Sequence, residues 1–388
     1  MKIALLPGIF FPMPGGAQVQ THNLANKLVR KGHKVDVFLL NKTNIKNNLY
    51  NIIIINKLIL SFFFYLNFFL KINLSFIFKI YIKSIMIKNK YDIFHFQLIN
   101  FKMLFLIKVL KSLDQKIIVT FQGIDIQIDK EINYGYRLNK NYEKSLLNTL
   151  KDIDVFLSIS ENIKNDLLDL GIKKDKIVII PNSVEIEKIK KFPNNNNNIR
   201  EKINLITVAR FAENKKGLDL IPKITKILIN KKINFEWYLV GHNSIKIKEL
   251  KSMEEYNNNF IYIENIENLN EEYFPHSNLI KIFKKCHLYV NLSRIESFGI
   301  TIIEGLACNL PVITFDTKGG NELVVENYNG KIVKEFLPEE MAKTIINYHK
   351  IQDLLENQKK NALLSIQKYD LNTVTNTTIK IYQNLVLK

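Results

Sequence analysis

The chain has 388 residues, 47% of them hydrophobic and 11% aromatic, and a net charge of +18. It is too long for one ordinary core and too apolar for wholesale disorder, so two folded domains are expected. Its two cysteines, Cys286 and Cys308, lack metal-type spacing; they exclude a disulfide scaffold and read as reduced packing residues of a cytoplasmic protein.

In chain order, "KIALL" (2–6) reads as a strand, followed by a Pro/Gly turn and a helical pattern from Ala17 to Lys31. The opening run "MKIALLPGIFFPMPGG" is broken by Pro7, Gly8, Pro12 and Pro14 and does not read as a signal peptide. Further strands are expected at 34–40, 91–97, 116–121, 154–159 and 176–181, with helices at 99–112, 136–151 and 161–170. Short apolar strands alternating with helices imply a parallel sheet covered on both faces. The apolar stretch 58–70 ends at Lys71 and is shorter than the about 20 residues a membrane span needs.

Charge is concentrated early. Residues 1–116 hold 17 Lys and Arg against Asp36, Asp92 and Asp114, so +14 of the +18 lies there. Such asymmetry fits an anionic partner, nucleic acid or membrane, and also fits the Lys-rich codon usage of an AT-rich genome. On a helix, Lys71, Ser75, Lys79, Lys83 and Lys90 share one stripe, while Phe76, Ile77, Ile80 and Ile87 point largely elsewhere. That pattern suits a segment (58–90) lying on an anionic membrane surface, or a Rossmann helix with solvated lysines.

A polar run, "FPNNNNNIRE", interrupts at 192–201, and the alternation then restarts. Strands are expected at 203–209, 235–240, 260–264, 287–292 and 311–315, with helices at 217–230, 245–256, 278–285, 300–308 and 339–350. The expected division is therefore 1–190, a linker at 191–202, and 203–369, with a C-terminal helix at about 370–388 available to pack back on the first domain. The fold class is α/β: two Rossmann-like domains facing each other across a cleft, with ligands beyond the strands' carboxyl ends.

Three stretches carry chemistry. Gly15 and Gly16 precede the first helix, whose N terminus can approach phosphate or a sugar hydroxyl; a plain tight turn explains them as well. The full dinucleotide fingerprint is missing, which disfavours a dehydrogenase. In "ARFAENKKGLDL" (209–220), Arg210 ends a strand and Lys216 lies six residues on. Such a pair can clamp a pyrophosphate, though a solvated loop is an equal reading. "SRIESFGITIIEGLACNLPVITF" (293–315) places Glu296 and Glu304 around a strand–loop–helix junction. Amides of Ser297, Phe298, Gly299 and Ile300 would open the helix, Glu296 would accept from donor-sugar hydroxyls, and Glu304 could reach a ribose diol.

These motifs, with "IIPNSVE" (179–185), resemble those of the family-4 (group 1) retaining glycosyltransferases of the GT-B fold, over nearly the whole chain. The resemblance makes 1–190 the acceptor domain and 203–369 the nucleotide-sugar donor domain. It assigns Glu296 to orienting the donor hexose, Glu304 to the ribose, Arg210 and Lys216 to the diphosphate, and Gly16 to the phosphate from the other domain. It also places Asp125 at the acceptor. Gln122, beside Gly123 in "VTFQGID", stands where members often carry His; it can hydrogen-bond but cannot transfer a proton. His95 reads either as a cleft residue or as a strand-end His satisfied locally.

The resemblance implies transfer of a hexose from a nucleotide diphosphate sugar to a saccharide or lipid-linked acceptor, with retention. The setting would be cell-surface polysaccharide or lipopolysaccharide assembly, by a cytoplasmic protein peripheral on the inner face of the membrane. No cofactor or metal is expected, since cations and helix amides can meet the leaving diphosphate. Asp152-Ile153-Asp154 matches Asp-x-Asp, but its place at a helix end and strand start favours a structural role. "NIENLNEEYFPHSN" (265–278) is expected near the base. An epimerase or phosphorylase on the same architecture is the alternative; a nucleic-acid-binding protein is disfavoured because no such motif occurs.

Overall fold

The structure is a computed structural model and describes residues 1–388 except 13–14, 69, 71–74, 88, 195–200, 212–213, 267–269 and 388. The chain forms two compact units: Met1–Pro181 with Leu269–Tyr273 and Leu371–Lys388, and Asn182–Asn268 with Phe274–Asp370. Residues 182–190 thus belong to the second unit rather than the first. The Val184 N–H donates to the Tyr369 carbonyl at 3.0 Å, which ties this stretch there. Of the expected linker, 195–200 lie outside the described residues.

The first unit runs β1 (Lys2–Pro7), α1 (Gly16–Arg30), β2 (Lys34–Leu39), β3 (Asn51–Ile54), α2 (Lys57–Phe68), α3 (Ser75–Ile82), β4 (Ile93–Gln97), α4 (Phe101–Lys111), β5 (Ile117–Phe121), α5 (Lys140–Thr149), β6 (Val155–Ser158), α6 (Glu161–Asp169) and β7 (Ile177–Ile179). Its parallel sheet is ordered β3-β2-β1-β4-β5-β6-β7. Every residue of β4 and β5 is buried, as expected for strands covered on both faces. Register is set by pairs such as Ile3–Val35 and Leu5–His95.

The second unit runs α7 (Ile186–Lys190), β8 (Ile203–Val208), α8 (Ile221–Asn230), β9 (Phe235–Val240), α9 (Ile245–Lys248), β10 (Phe260–Ile263), α10 (Ser277–Phe283), β11 (Leu288–Asn291), α11 (Ile300–Ala307), β12 (Val312–Phe315), α12 (Lys318–Asn321), β13 (Gly330–Val333), α13 (Pro338–Lys350) and α14 (Gln352–Ser365). Its order is β10-β9-β8-β11-β12-β13. Both sheets reverse direction beside their first strand, between β1 and β4 and between β8 and β11. These are the topological switch points where open α/β sheets bind ligands.

Some expected elements shift. Helix α8 begins at Ile221 rather than 217, with Pro222 in its first turn; two 3₁₀ turns, Asn214–Lys216 and Leu218–Leu220, precede it on either side of Gly217. The expected 245–256 helix is the short α9 followed by 3₁₀ structure at Lys251–Asn259. The last helix, α15 (Leu371–Leu387), joins the first unit, where Val374 and Tyr382 complete the core formed by Ile3, Leu28, Val37 and Ile118.

Among the described residues of 58–90, α2 and α3 are followed by a π-helical turn at Lys83–Ile87. Phe78 packs between Phe63 and Phe105, with ring centroids 5.1 Å away on each side. The outward faces carry Leu58, Phe62 and Tyr65 on α2, and Phe76, Ile77 and Ile80 on α3, all exposed. Lys71 of the expected stripe lies outside the described residues.

Candidate functional site

At the β8/β11 switch point the chain leaves β11 through Asn291, Leu292 and Ser293. Asn291 and Ser293 are buried polar residues. The Asn291 Nδ2 donates to Thr314 Oγ1 on β12 at 3.0 Å, which fixes its amide. Ser293 Oγ then lies 2.9 Å from Asn291 Oδ1 and 2.7 Å from Glu296 Oε1, so its single proton has two acceptors. Lys216 Nζ, from the turn after β8, reaches the same Glu296 oxygen at 2.7 Å. Burial pushes the Glu296 carboxyl up, yet the Lys216 ammonium and Ser293 hydroxyl outweigh it and hold it below its ordinary value. Glu296 is therefore ionised and oriented. Arg210, half-buried, leaves the adjacent β8.

The loop is also held from behind. The Gly319 N–H at the start of α12 donates to the Glu296 carbonyl at 3.0 Å, and a Cβ on Gly319 would sit 2.4 Å from that oxygen. Only glycine permits this approach. Phe298 is buried, edge-on to Tyr369 at 5.5 Å; it anchors the loop rather than offering a side chain to a ligand. Gly299, in the left-handed region at φ 101°, caps α11 and is followed by Ile300. Thr301 accepts from the Tyr289 hydroxyl at 2.6 Å, pinning the first turn of α11 to β11. Ser297 lies in the same loop, half-buried.

Glu304, a turn further along α11, is buried. Burial lifts its carboxyl to about 8, opposed by the Lys188 ammonium. Such a carboxyl gives up its proton less readily than an exposed one. Lys188 is held in turn by donating to the Pro275 carbonyl at 2.7 Å.

In the first unit, Gly15 precedes α1 with φ 177°, ordinary extended backbone, and α1 opens at Gly16. Asp125 does not present its carboxylate as expected. It is buried, and accepts the N–H groups of Gln122 and Gly123 at 3.0 Å and of Ile99 at 3.3 Å. Burial lifts it to about 7 despite those amides. Its role is to shape the Gln122–Gly123 turn. His95 is likewise buried and internally satisfied, with Nδ1 2.6 Å from the Tyr382 hydroxyl and Nε2 2.7 Å from Thr120 Oγ1. Burial lowers it to about 3, so it is neutral. Gln97 links His95 (3.2 Å) to Gln122 (3.3 Å), making one chain of polar side chains from α15 to Gln122.

Asp154 is occupied by Lys111 at 2.5 Å and the Ile117 N–H at 2.8 Å, the structural role its position suggested. Of 265–278, residues 267–269 lie outside the described residues. Residues 270–273 are bonded to α1: Asn26 Nδ2 donates to the Glu272 carbonyl at 2.6 Å, and Arg30 grips the Glu272 carboxylate through two bonds of 2.9 and 2.8 Å. Sequence reading overlooked Asn291, Ser293 and Gly319. The Gly319-Gly320 pair after β12 echoes Gly15-Gly16 after β1 and was the available signal.

Residues 14–188 match the family Glycosyltransferase Family 4, and residues 188–364 match Glycosyl transferases group 1. An uncharacterized glycosyltransferase of Methanocaldococcus jannaschii is 25% identical over 60% of this chain and 60% of its own length. The N,N'-diacetylbacillosaminyl-diphospho-undecaprenol alpha-1,3-N-acetylgalactosaminyltransferase of Campylobacter jejuni is 24% identical, again over 60% of each chain. The chain thus spans about three fifths of the length of these curated relatives. Among solved structures, Anabaena HepE in complex with UDP-glucose superposes with a TM-score of 0.73 over 99% of this chain and 100% of that one, at 15% identity. With family matches running from residue 14 to 364 and this architecture throughout, the protein belongs to the group 1 glycosyltransferases of the GT-B fold.

Proposed function

We propose that the protein transfers a hexose-type sugar from a nucleotide diphosphate sugar to a saccharide or lipid-linked acceptor, retaining anomeric configuration and using no metal. The observation that carries this reading is the Lys216–Glu296–Ser293 cluster at the β8/β11 switch point. Breaking a sugar–phosphate bond leaves a diphosphate dianion and an oxocarbenium-like sugar. The diphosphate competes with Glu296 for Lys216, and Arg210 with the α11 amides supplies further positive potential. Glu296, relieved of its cation, accepts from sugar hydroxyls, while Glu304 accepts from the ribose diol. The acceptor hydroxyl attacks the face the phosphate leaves, and its proton passes to the departing phosphate oxygen.

The bound UDP-glucose of the Anabaena protein and the lipid diphosphate in the Campylobacter enzyme's name support this donor and acceptor chemistry. They also favour assembly of cell-surface polysaccharide or lipopolysaccharide as the setting. The exposed apolar faces of α2 and α3, beside the exposed Lys57, Lys83 and Lys90, support docking of the first unit on an anionic membrane surface, peripheral on the cytoplasmic side. Among the described residues no helix is long and apolar enough to cross a membrane.

Screening purified protein against nucleotide sugars, by thermal stabilisation and product analysis, tests the reading. Glycoside formed with release of nucleoside diphosphate supports it. Release of an epimerised free sugar or a sugar phosphate in place of transfer overturns it.

A further inference from the structure

Lys216 carries its ammonium on a long, flexible stem with rotamer freedom to lose when fixed. Its backbone must therefore be held if the charge is to meet Glu296 at one spacing. Arg294, two residues before Glu296, provides that hold. Its guanidinium donates to both carboxylate oxygens of Asp219, at 2.7 and 2.8 Å, and to the Asn214 carbonyl at 2.9 Å. Its own N–H donates to the Lys215 carbonyl at 2.7 Å. Between them Gly217, at φ +63°, lies so close to the loop that an added Cβ would stand 1.9 Å from the Leu292 carbonyl oxygen.

We propose that Arg294 is a positioning residue, a staple that fastens the 214–219 turn to the loop after β11 so that Lys216 and Glu296 are held at one distance. The ligand part of this inference rests on the reading above that Lys216 meets a donor diphosphate. The Asp219 side chain is 62% exposed and that of Arg294 30%, so the pair adds little to global stability. Its effect is local order. The bidentate fork also explains the residue type, since two guanidinium nitrogens meet the two Asp219 oxygens one to one, which the single nitrogen of an ammonium cannot.

Two readouts test it. In ligand-free protein, the Glu296 carboxyl is followed by NMR titration of labelled glutamates, assigned with Glu296→Gln. Arg294→Ala should move it up toward the ordinary glutamate range, and Arg294→Lys should not restore it. A Glu296 titration unchanged in Arg294→Ala overturns the staple. Calorimetry with UDP and GDP as probes then follows function. Arg294→Ala should weaken nucleoside diphosphate binding about tenfold in the native background and less than about twofold in Lys216→Ala, because the two act through one ammonium. Full additivity of the two losses overturns the proposal. If Lys216→Ala itself leaves binding unchanged while the titration still moves, the diphosphate reading falls and the staple stands.

Discussion

Lys216 and Ser293 converge on one oxygen of Glu296, each at 2.7 Å, and leave the other oxygen outside this triple contact. The carboxylate is thus ionised and aimed before any ligand arrives.

Replacing Glu296 by Gln should lower sugar transfer by about 10²–10³-fold, the range for removing one preorganised electrostatic contact. Nucleoside diphosphate affinity should hold or rise, because Lys216 loses its internal competitor. Turnover at the native rate would remove Glu296 from the reaction.

Arg210→Ala and Lys216→Ala should each weaken nucleoside diphosphate binding by about 1.5–3 kcal/mol, the worth of a charge-assisted hydrogen bond. Nucleoside monophosphate binding should change less. Transfer should persist in EDTA, since these cations neutralise the leaving group; a strict Mn²⁺ or Mg²⁺ requirement would refute that account.

Glu304 gives a signed pH dependence. Its carboxyl is raised from 4.5 to about 8 in the fold, so the folded chain binds an extra proton between those values. The stability this confers is present below pH 4.5 and is lost as pH rises through about 8. Glu304→Gln should therefore melt close to the native temperature at pH 5 and above it at pH 8.5, by on the order of 2–4 °C for each kcal/mol relieved. A Tm difference that stays the same at both pH values would sink this reading of Glu304.

Vesicle co-sedimentation tests the membrane surface. Binding should require anionic lipid and fall with salt, each lysine near the surface contributing about 1 kcal/mol. Lys79→Glu with Lys83→Glu should weaken it, and so should Phe76→Ser with Ile80→Ser on the exposed face of α3. Protein left in the supernatant with anionic vesicles at low salt would make a water-soluble acceptor the better partner.

Alternation of short apolar strands with helices was enough to identify two parallel sheets, because a strand buried on both faces must be apolar at nearly every position. The edge strands β3 (Asn51–Ile54) and β13 (Gly330–Val333) were not expected from the sequence. Local sequence also placed Arg210 just past a strand end and Glu296 and Glu304 around a strand–loop–helix junction, since strand, turn and cap signals are short-range, whereas Lys216, expected at a helix start, lies in a 3₁₀ turn. What those residues touch was decided only in three dimensions. Sequence left His95 open between a cleft residue and a locally satisfied strand-end His, and by resemblance put Asp125 at the acceptor; Tyr382 and Thr120 claim His95, and three backbone amides claim Asp125. Tyr382 lies 287 residues from His95, and Arg294 lies 75 from Asp219. A polar side chain's partner is set by which strands become neighbours, and parallel pairing through helical crossovers makes neighbours of residues far apart in the chain. The sequence by itself therefore determined the architecture and which residue types stand at the switch point; tertiary packing alone decided that Lys216, Ser293 and Glu296 meet at one carboxylate oxygen.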